Sequence, residues 1–508
     1  MKRTIALLLL VSMILIALAA CGSQDGDTVN QGNLPNAGND DIPGSDGFEN
    51  GGNEEVKLLP DLPDGQNFGG HVFTFLVHEE LSDDWLSNIP LEIVAEIEET
   101  EEPIVAEVYK RNEMLKEKYN VDFRMLPENE EHNVLRRVVQ SGDDTYDAVV
   151  IFNNNIPPVI NNGLLVTVDQ LPYVDLDKPW WDDSVNGMSV ANKQFLLGGD
   201  ILILDNEATN ALVFNKKLMS DLQMELPYNL VNEGKWTMDK LNDYVKGGSF
   251  DLNGNGVMDV EEDRWGFVCY RDTMHALLVS GGGALAVKDA DDLPFIDFAS
   301  DRNLSVLEKV MDIMYNKIDV LNIQSDISDG GNNSENWLRA YHNAFEQDRA
   351  LFMWVRMRVV EKFRGMDSDF GIVPLPKFDE NQANYHSVVN PYTGVLMGVP
   401  NTASNLDRTS IILEAMAAES RYTIQPAYYD VVLTRKFARD AESEGMLDII
   451  FNSRVYDIGA IYAFGNVFID LITLADRSNT DAMSFYERRK GQMERDINRL
   501  IESIQNMD

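Results

Sequence analysis

The sequence predicts an α/β fold large enough for two lobes. Three observations carry that expectation. Runs rich in β-formers alternate with helix-like segments between Gly70 and Ile151, at the spacing of strand–helix–strand units. Helix-like segments then recur to the end of the chain, with short apolar strand candidates between them. A length of 508 residues also exceeds what one small core can serve.

The elements follow in order. Lys2 and Arg3 precede an apolar run from Ile5 to Ala17 broken only by Ser12, and Leu18-Ala19-Ala20-Cys21 closes it. So short a tract, basic before and polar after, reads as an export signal and not a spanning helix. Its ending resembles the lipobox that bacteria cleave before a cysteine, so residues 1–20 are expected to be removed and Cys21 to carry lipid. That expectation puts the protein on the extracellular face of the cell membrane, anchored by lipid. Residues 22–56 are rich in Gly, Asn and Asp. They bury too little apolar surface to offset ordering, so 21–69 is read as a flexible acidic linker.

His71 to Val77 reads as the first strand, Ile104 to Tyr119 as a helix and Val121 to Met125 as the second strand. Val134 to Ser141 reads as a helix and Tyr146 to Ile151 as a buried strand. Further helices are expected over 215–224, 238–246, 304–315, 337–348, 410–419, 437–451 and 485–504. Short strands are expected over 264–267, 370–373 and 394–399. No internal repeat of fixed period is visible.

Composition excludes some functions. Hydrophobic residues make up 44% and aromatic residues 9%, ordinary for a globular protein. No later stretch reaches the ~18 apolar residues of a membrane span. The net charge is −42, and loss of Lys2 and Arg3 takes it to −44. Such a surface repels phosphate, which argues against nucleic-acid binding, and suits a soluble exported monomer. With Cys21 assigned to lipid, Cys269 has no partner for a disulfide and reads as a buried thiol.

A second sharp feature is the acidic loop 251–262. Asp251, Asn253, Asn255, Asp259 and Glu262 stand at positions 1, 3, 5, 9 and 12 of the calcium-loop pattern. Val257 offers its carbonyl at position 7, and Gly256 permits the turn at position 6. A hard dication that takes only oxygen ligands at about 2.3–2.6 Å suits this set. Gly247-Gly248 breaks the incoming helix, so the expectation is one structural calcium loop and not a sensor.

Several segments together are similar to a known family. They are 108–123 (VYKRNEMLKEKYNVDF), 141–171 (SGDDTYDAVVIFNNNIPPVINNGLLVTVDQL), 178–200, 211–246, 345–358 (FEQDRALFMWVRMR) and 369–377 (DFGIVPLPK). In order and spacing the chain resembles the extracellular solute-binding lipoproteins of bacterial ABC importers, of the carbohydrate-binding type. Gln194 and Phe214 stand where tyrosine is usual, and Asp348-Arg349 where Gly-Lys is usual. The resemblance implies a periplasmic-binding-protein-like fold of type II, with a ligand cleft between lobes joined by crossing hinge segments. It divides the chain into lobe 1 (70–202 and the return 378–420) and lobe 2 (203–377 and the C-terminal helices 421–508). It also implies capture of a solute, a sugar or oligosaccharide, and delivery to ABC permease subunits.

Pockets in such folds form at the C-terminal ends of strands. That rule selects His78 after the first strand, and Asn153 and Asn154 after the buried strand. Asn offers both donors and acceptors, as sugar hydroxyls need. Asp205 and Glu207 lie near the expected first crossing. Trp181, Trp354 and Tyr392 are candidates to cover the apolar face of a sugar ring, and Arg356 follows Trp354. The sequence shows no His-Glu-x-x-His helix, Gly-x-Ser-x-Gly elbow or phosphate loop. A non-enzymatic receptor is therefore expected, the alternative being a surface-anchored glycosidase or lyase.

Overall fold

The computed structural model describes residues 57–79, 92–95, 102–326, 334–434, 441–477 and 481–507. Cys21 and the linker to residue 56 lie outside them. Lys57–Asp508 forms one compact unit. Residues 57–69, expected at the end of the linker, lie against that body. Lys57 pairs with Glu419, the Leu58 N–H donates to the Tyr422 hydroxyl, and Phe68 stacks near Tyr119.

Thirteen strands are described. In chain order they are β1 (His71–His78), β2 (Val121–Glu128), β3 (Ala148–Phe152), β4 (Asn210–Asn215), β5 (Trp265–Cys269), β6 (Ala286–Lys288) and β7 (Pro294–Ile296). They continue with β8 (Val320–Asn322), β9 (Ala350–Arg356), β10 (Phe370–Val373), β11 (Ser387–Val388), β12 (Val395–Gly398) and β13 (Arg454–Val455). Two larger sheets result. The first has order β12-β3-β1-β2, with β1, β2 and β3 parallel and β12 antiparallel to β3. The second has order β10-β4-β9-β5-β8, with β5 parallel to both β8 and β9.

The central strands are apolar along most of their length because helices cover both faces, leaving no solvent side for alternation to mark. All of β3 and all of β9 is buried. Helix Pro103–Tyr119 returns the chain from β1 to β2, opening on proline and closing on Asn120 in the left-handed region at φ 49°. Helix Glu131–Ser141 does the same between β2 and β3, and Gly142 (φ 71°) closes it by donating to Val138 and Val139. The helix expected from Asn215 begins one residue later. Asn215 belongs to β4, and its side chain caps the helix by accepting from the Leu218 N–H.

Among the described residues, two segments lead from strands of one sheet to strands of the other. The first runs through Leu204–Thr209 and the second through Val389–Gly394. They are tied by a bridge between Thr209 and Val389, and by the Asn390 N–H donating to the Ala208 carbonyl at 3.0 Å. Among the described residues no helix is long and apolar enough to cross a membrane.

Candidate functional site

The parallel strands of both sheets end beside these crossing segments. In the first sheet, His78 closes β1. Its Nδ1 lies 2.8 Å from the Glu79 carbonyl, which assigns the proton to Nδ1 and leaves Nε2 as an acceptor in the neutral ring. Nε2 stands 4.0 Å from Glu131 Oε2. Glu131 is fully buried. Its Oε1 accepts from Asn155 Nδ2 at 2.9 Å, while Oε2 has no hydrogen bond among the described residues.

Asn153 follows β3 and is 0% exposed. Its N–H donates to the Gly394 carbonyl at 2.9 Å, which pins the strand end to the second crossing. Both of its amide atoms lack partners among the described residues. Gly394 permits this approach, since a Cβ there would fall 2.6 Å from Asn153 Nδ2. Asn154 is exposed beside it.

In the second sheet, β5 leads into Tyr270, Arg271 and Asp272, β9 ends on Arg356, and β4 begins with Asn210. Register places Asn210 opposite Arg356. Arg356 is 4% exposed and hydrogen-bonds the Tyr270 hydroxyl. Burial pushes that hydroxyl far above its ordinary range, and Arg356 only partly opposes it. Asp272 accepts from Asn390 Nδ2 at 3.1 Å, tying β5's end to the second crossing. Tyr392, on the same crossing, is 40% exposed and lies 5.4 Å from the Phe468 ring. Burial and Asp272 push its hydroxyl up, against Arg271.

Other expected site residues lie elsewhere. Trp354 was read as a cleft aromatic on a segment after a helix, but Ala350–Arg356 is a central strand. Trp354 is 0% exposed, edge-on to Tyr270 at 4.5 Å, and its carbonyl accepts from the Tyr341 hydroxyl. It is a core residue, although its indole Nε1 has no partner among the described residues. Trp181 is also core. Trp180 Nε1 and Trp181 Nε1 donate to the two oxygens of Glu414 at 3.0 and 2.8 Å.

Asp205 and Glu207, expected to meet ligand, are committed to ion pairs. Arg454 on β13 reaches Asp182 at 3.0 Å and Asp205 at 3.4 Å, and donates to Asn206. Burial works against the Arg454 charge, but Asp205 and Asp182 outweigh it and raise its pKa. Burial pushes Asp205 up to about 6 and Asp200, paired with Arg421 at 3.3 Å, up to about 7. Glu207 pairs with Arg358 at 3.3 Å. Asp205 thereby fastens the first crossing to the C-terminal part of the chain, and Glu207 fastens it to the segment just after β9.

Asp272, Arg271, Asn390 and Glu131 were not singled out in the sequence. The strand-end rule reaches the first two, because the strand over 264–267 was legible. Asn390 and Glu131 gave no comparable signal.

The acidic loop has its own geometry. Asp251 accepts from Gly254 N–H and Gly256 N–H, both at 2.7 Å, and Asn255 accepts from Val257 N–H at 2.7 Å. Asn253 Nδ2 donates to Glu262 at 2.7 Å. Buried Asp263 clasps both arms, accepting from Leu252 and Asp259 N–H. Among the described residues no three His, Cys, Asp or Glu side chains are gathered at one point for a metal. Each Asp251 oxygen nevertheless keeps a lone pair beyond the backbone bond it accepts.

No family model and no curated protein matches the chain. Solved structures do. UspC of M. tuberculosis aligns with 83% of this chain and 99% of its own, at 14% identity and TM-score 0.56. A cyclo/maltodextrin-binding protein complexed with maltotetraose aligns over 86% and 98%, at 14% identity and TM-score 0.53. The ABC substrate-binding protein Lmo0181 from Listeria monocytogenes, in complex with cycloalternan, aligns over 86% and 99%, at 12% identity and TM-score 0.50. At such identities the likeness defines the fold: this chain has the two-lobe α/β architecture of periplasmic-binding-protein-like solute-binding proteins.

Proposed function

We propose that the protein is an extracellular receptor that captures a sugar or oligosaccharide and passes it unchanged to an ABC permease. The observation that carries this reading is the meeting of both sheets' strand ends at the crossing segments, with polar atoms left unpaired there. Asn153 on one side and Asn210 on the other present amide oxygens that accept nothing among the described residues, and Tyr392 lies half-open near the charges of Asp272 and Arg271. Ring hydroxyls both donate and accept, and so can satisfy such groups. Ligand contact with both lobes favours the closed arrangement, with the crossings as hinge. The likeness, over 86% of this chain, to a cyclo/maltodextrin-binding protein and to an ABC substrate-binding protein supports the same reading.

In this proposal Cys21 carries lipid that holds the receptor at the membrane, and the chain acts as a monomer. Asp251, Asn253, Asn255, Val257, Asp259 and Glu262 hold a structural calcium ion. The test is calorimetry of the purified protein against a panel of oligosaccharides, with X-ray scattering of both states and product analysis. Binding with compaction and intact sugar is expected. Cleaved sugar, or no response to any sugar, would overturn the proposal.

A further inference from the structure

We infer that the second-lobe side of the site takes a carboxylate, so that the captured ligand is an acidic sugar such as a uronate oligomer. The inference rests on the proposed receptor role and narrows its ligand class. Its basis is the kind of polar atom left unpaired where β4, β5 and β9 meet the crossing segments.

Arg271 Nε is buried without a partner among the described residues. It is an N–H that can only donate, so only an acceptor satisfies it. Arg271 stands, partly exposed, two residues past the end of buried β5. The adjacent carboxylate, Asp272, is engaged by the Asn390 amide. Arg356, at the end of the neighbouring parallel strand β9, adds a second guanidinium, this one 4% exposed and again donor-only.

A neutral hydroxyl accepts as well as donates, but it cannot offset a cation. A carboxylate does both jobs, and its two oxygens match guanidinium geometry. The remaining unpaired atoms fit a sugar bearing that group. Asn210 Oδ1 accepts only, and the Thr273 hydroxyl both accepts and donates, so ring hydroxyls complement them. The net charge of −42 sharpens the point, since a chain this acidic repels anions unless local cations invert the field.

Calorimetry of the mature chain tests the inference, with trigalacturonate, trimannuronate, the methyl ester of each, and maltotriose. The ester keeps the ring and hydroxyls and removes the charge. At least one acid should bind about 10–100-fold more tightly than its ester, the range of a charge-assisted hydrogen bond. Arg271→Gln should remove most of that ratio and leave ester affinity unchanged. This variant strands no partner, so circular dichroism and melting should match the parent. Asn153→Ala should weaken acid and ester alike. Maltotriose or an ester binding as tightly as the acids would overturn the inference and keep the receptor. So would an acid-to-ester ratio untouched by Arg271→Gln. No binding of any sugar, acidic or neutral, would overturn both.

Discussion

Glu414 offers the clearest quantitative test of how this fold is held. It lies on helix Leu406–Tyr422, is 1% exposed, and accepts from both indoles of Trp180 and Trp181 and from the Asp175 N–H. Burial pushes its carboxyl up from the ordinary 4.5 to about 7. The hydrogen bonds from Trp181, Asp175 and Trp180 only partly oppose this. The folded protein therefore holds a proton at Glu414 through a range where the unfolded chain has lost it. The resulting stabilisation is complete below pH 4.5 and is lost as pH rises through 7. Between pH 5 and pH 8 the linkage amounts to about 2.5 kcal/mol.

Glu414→Gln removes the titration and keeps the shape. At pH 5 the amide nitrogen faces an indole N–H with no lone pair to offer, whereas a protonated carboxyl oxygen still has one. The variant should then be less stable by about 1–3 kcal/mol. By pH 8 the parent has lost its proton-linked stability, so the gap should shrink by about 2.5 kcal/mol and can reverse. Urea unfolding followed by tryptophan fluorescence, on both proteins at several pH values, reads this directly. A difference that stays constant within about 0.5 kcal/mol from pH 5 to pH 8, well below the predicted change, would refute the reasoning.

Four further outcomes are expected. Trp354→Ala should lower stability by about 3–5 kcal/mol in urea, because the ring is core and not cleft wall. Gly266→Ala should cost more than about 3 kcal/mol in the same assay, since its Cβ would lie 1.9 Å from the Val245 carbonyl oxygen, a backbone atom with little room to move. Calcium should raise the melting temperature by mass action, and Asp251→Ala should abolish most of that shift. A melting curve indifferent to calcium and chelator would end the calcium proposal. Cys21→Ser should move the protein from the membrane fraction to the soluble one, and unchanged sedimentation would end the lipid proposal.

Much of the fold was legible because local signals agreed with it. β-formers marked β1, β2 and β3, and Phe370 to Val373 was read with the bounds of β10. β4, β8 and β9 were not read as strands. In β9 the sequence Ala350-Leu-Phe-Met-Trp-Val-Arg356 is apolar throughout except its last residue, and a continuous run fits a buried helix or a buried strand equally well. Only its partners β4 and β5 decide, and they come from elsewhere in the chain. That ambiguity misled the reading of Trp354.

The site residues divide along a different line. Asp205 and Asn153 both follow the rule that polar groups cluster at strand ends and crossings, so residue type alone ranks them together. Each keeps a buried oxygen without a hydrogen bond among the described residues, and charge pairing is what separates them. Asp205 meets Arg454, and the Arg454–Asn206 contact beside it spans 248 residues of sequence, a distance at which no local pattern speaks. Asn153 and Arg271 have no charge partner there and keep buried atoms unpaired among the described residues. Buried polar atoms without a partner among the described residues also occur in other elements, at Asn161, Asn242 and Arg408 for instance, so an unpaired atom alone does not mark a site. Position adds what pairing lacks. Asn153, Asn210 and Arg271 lie at strand ends beside the two crossing segments, and in the proposed receptor a ligand bound there supplies the missing partners on both sheets at once. Each buried group so satisfied returns about 1–3 kcal/mol, and in that proposal this free energy favours the closed arrangement.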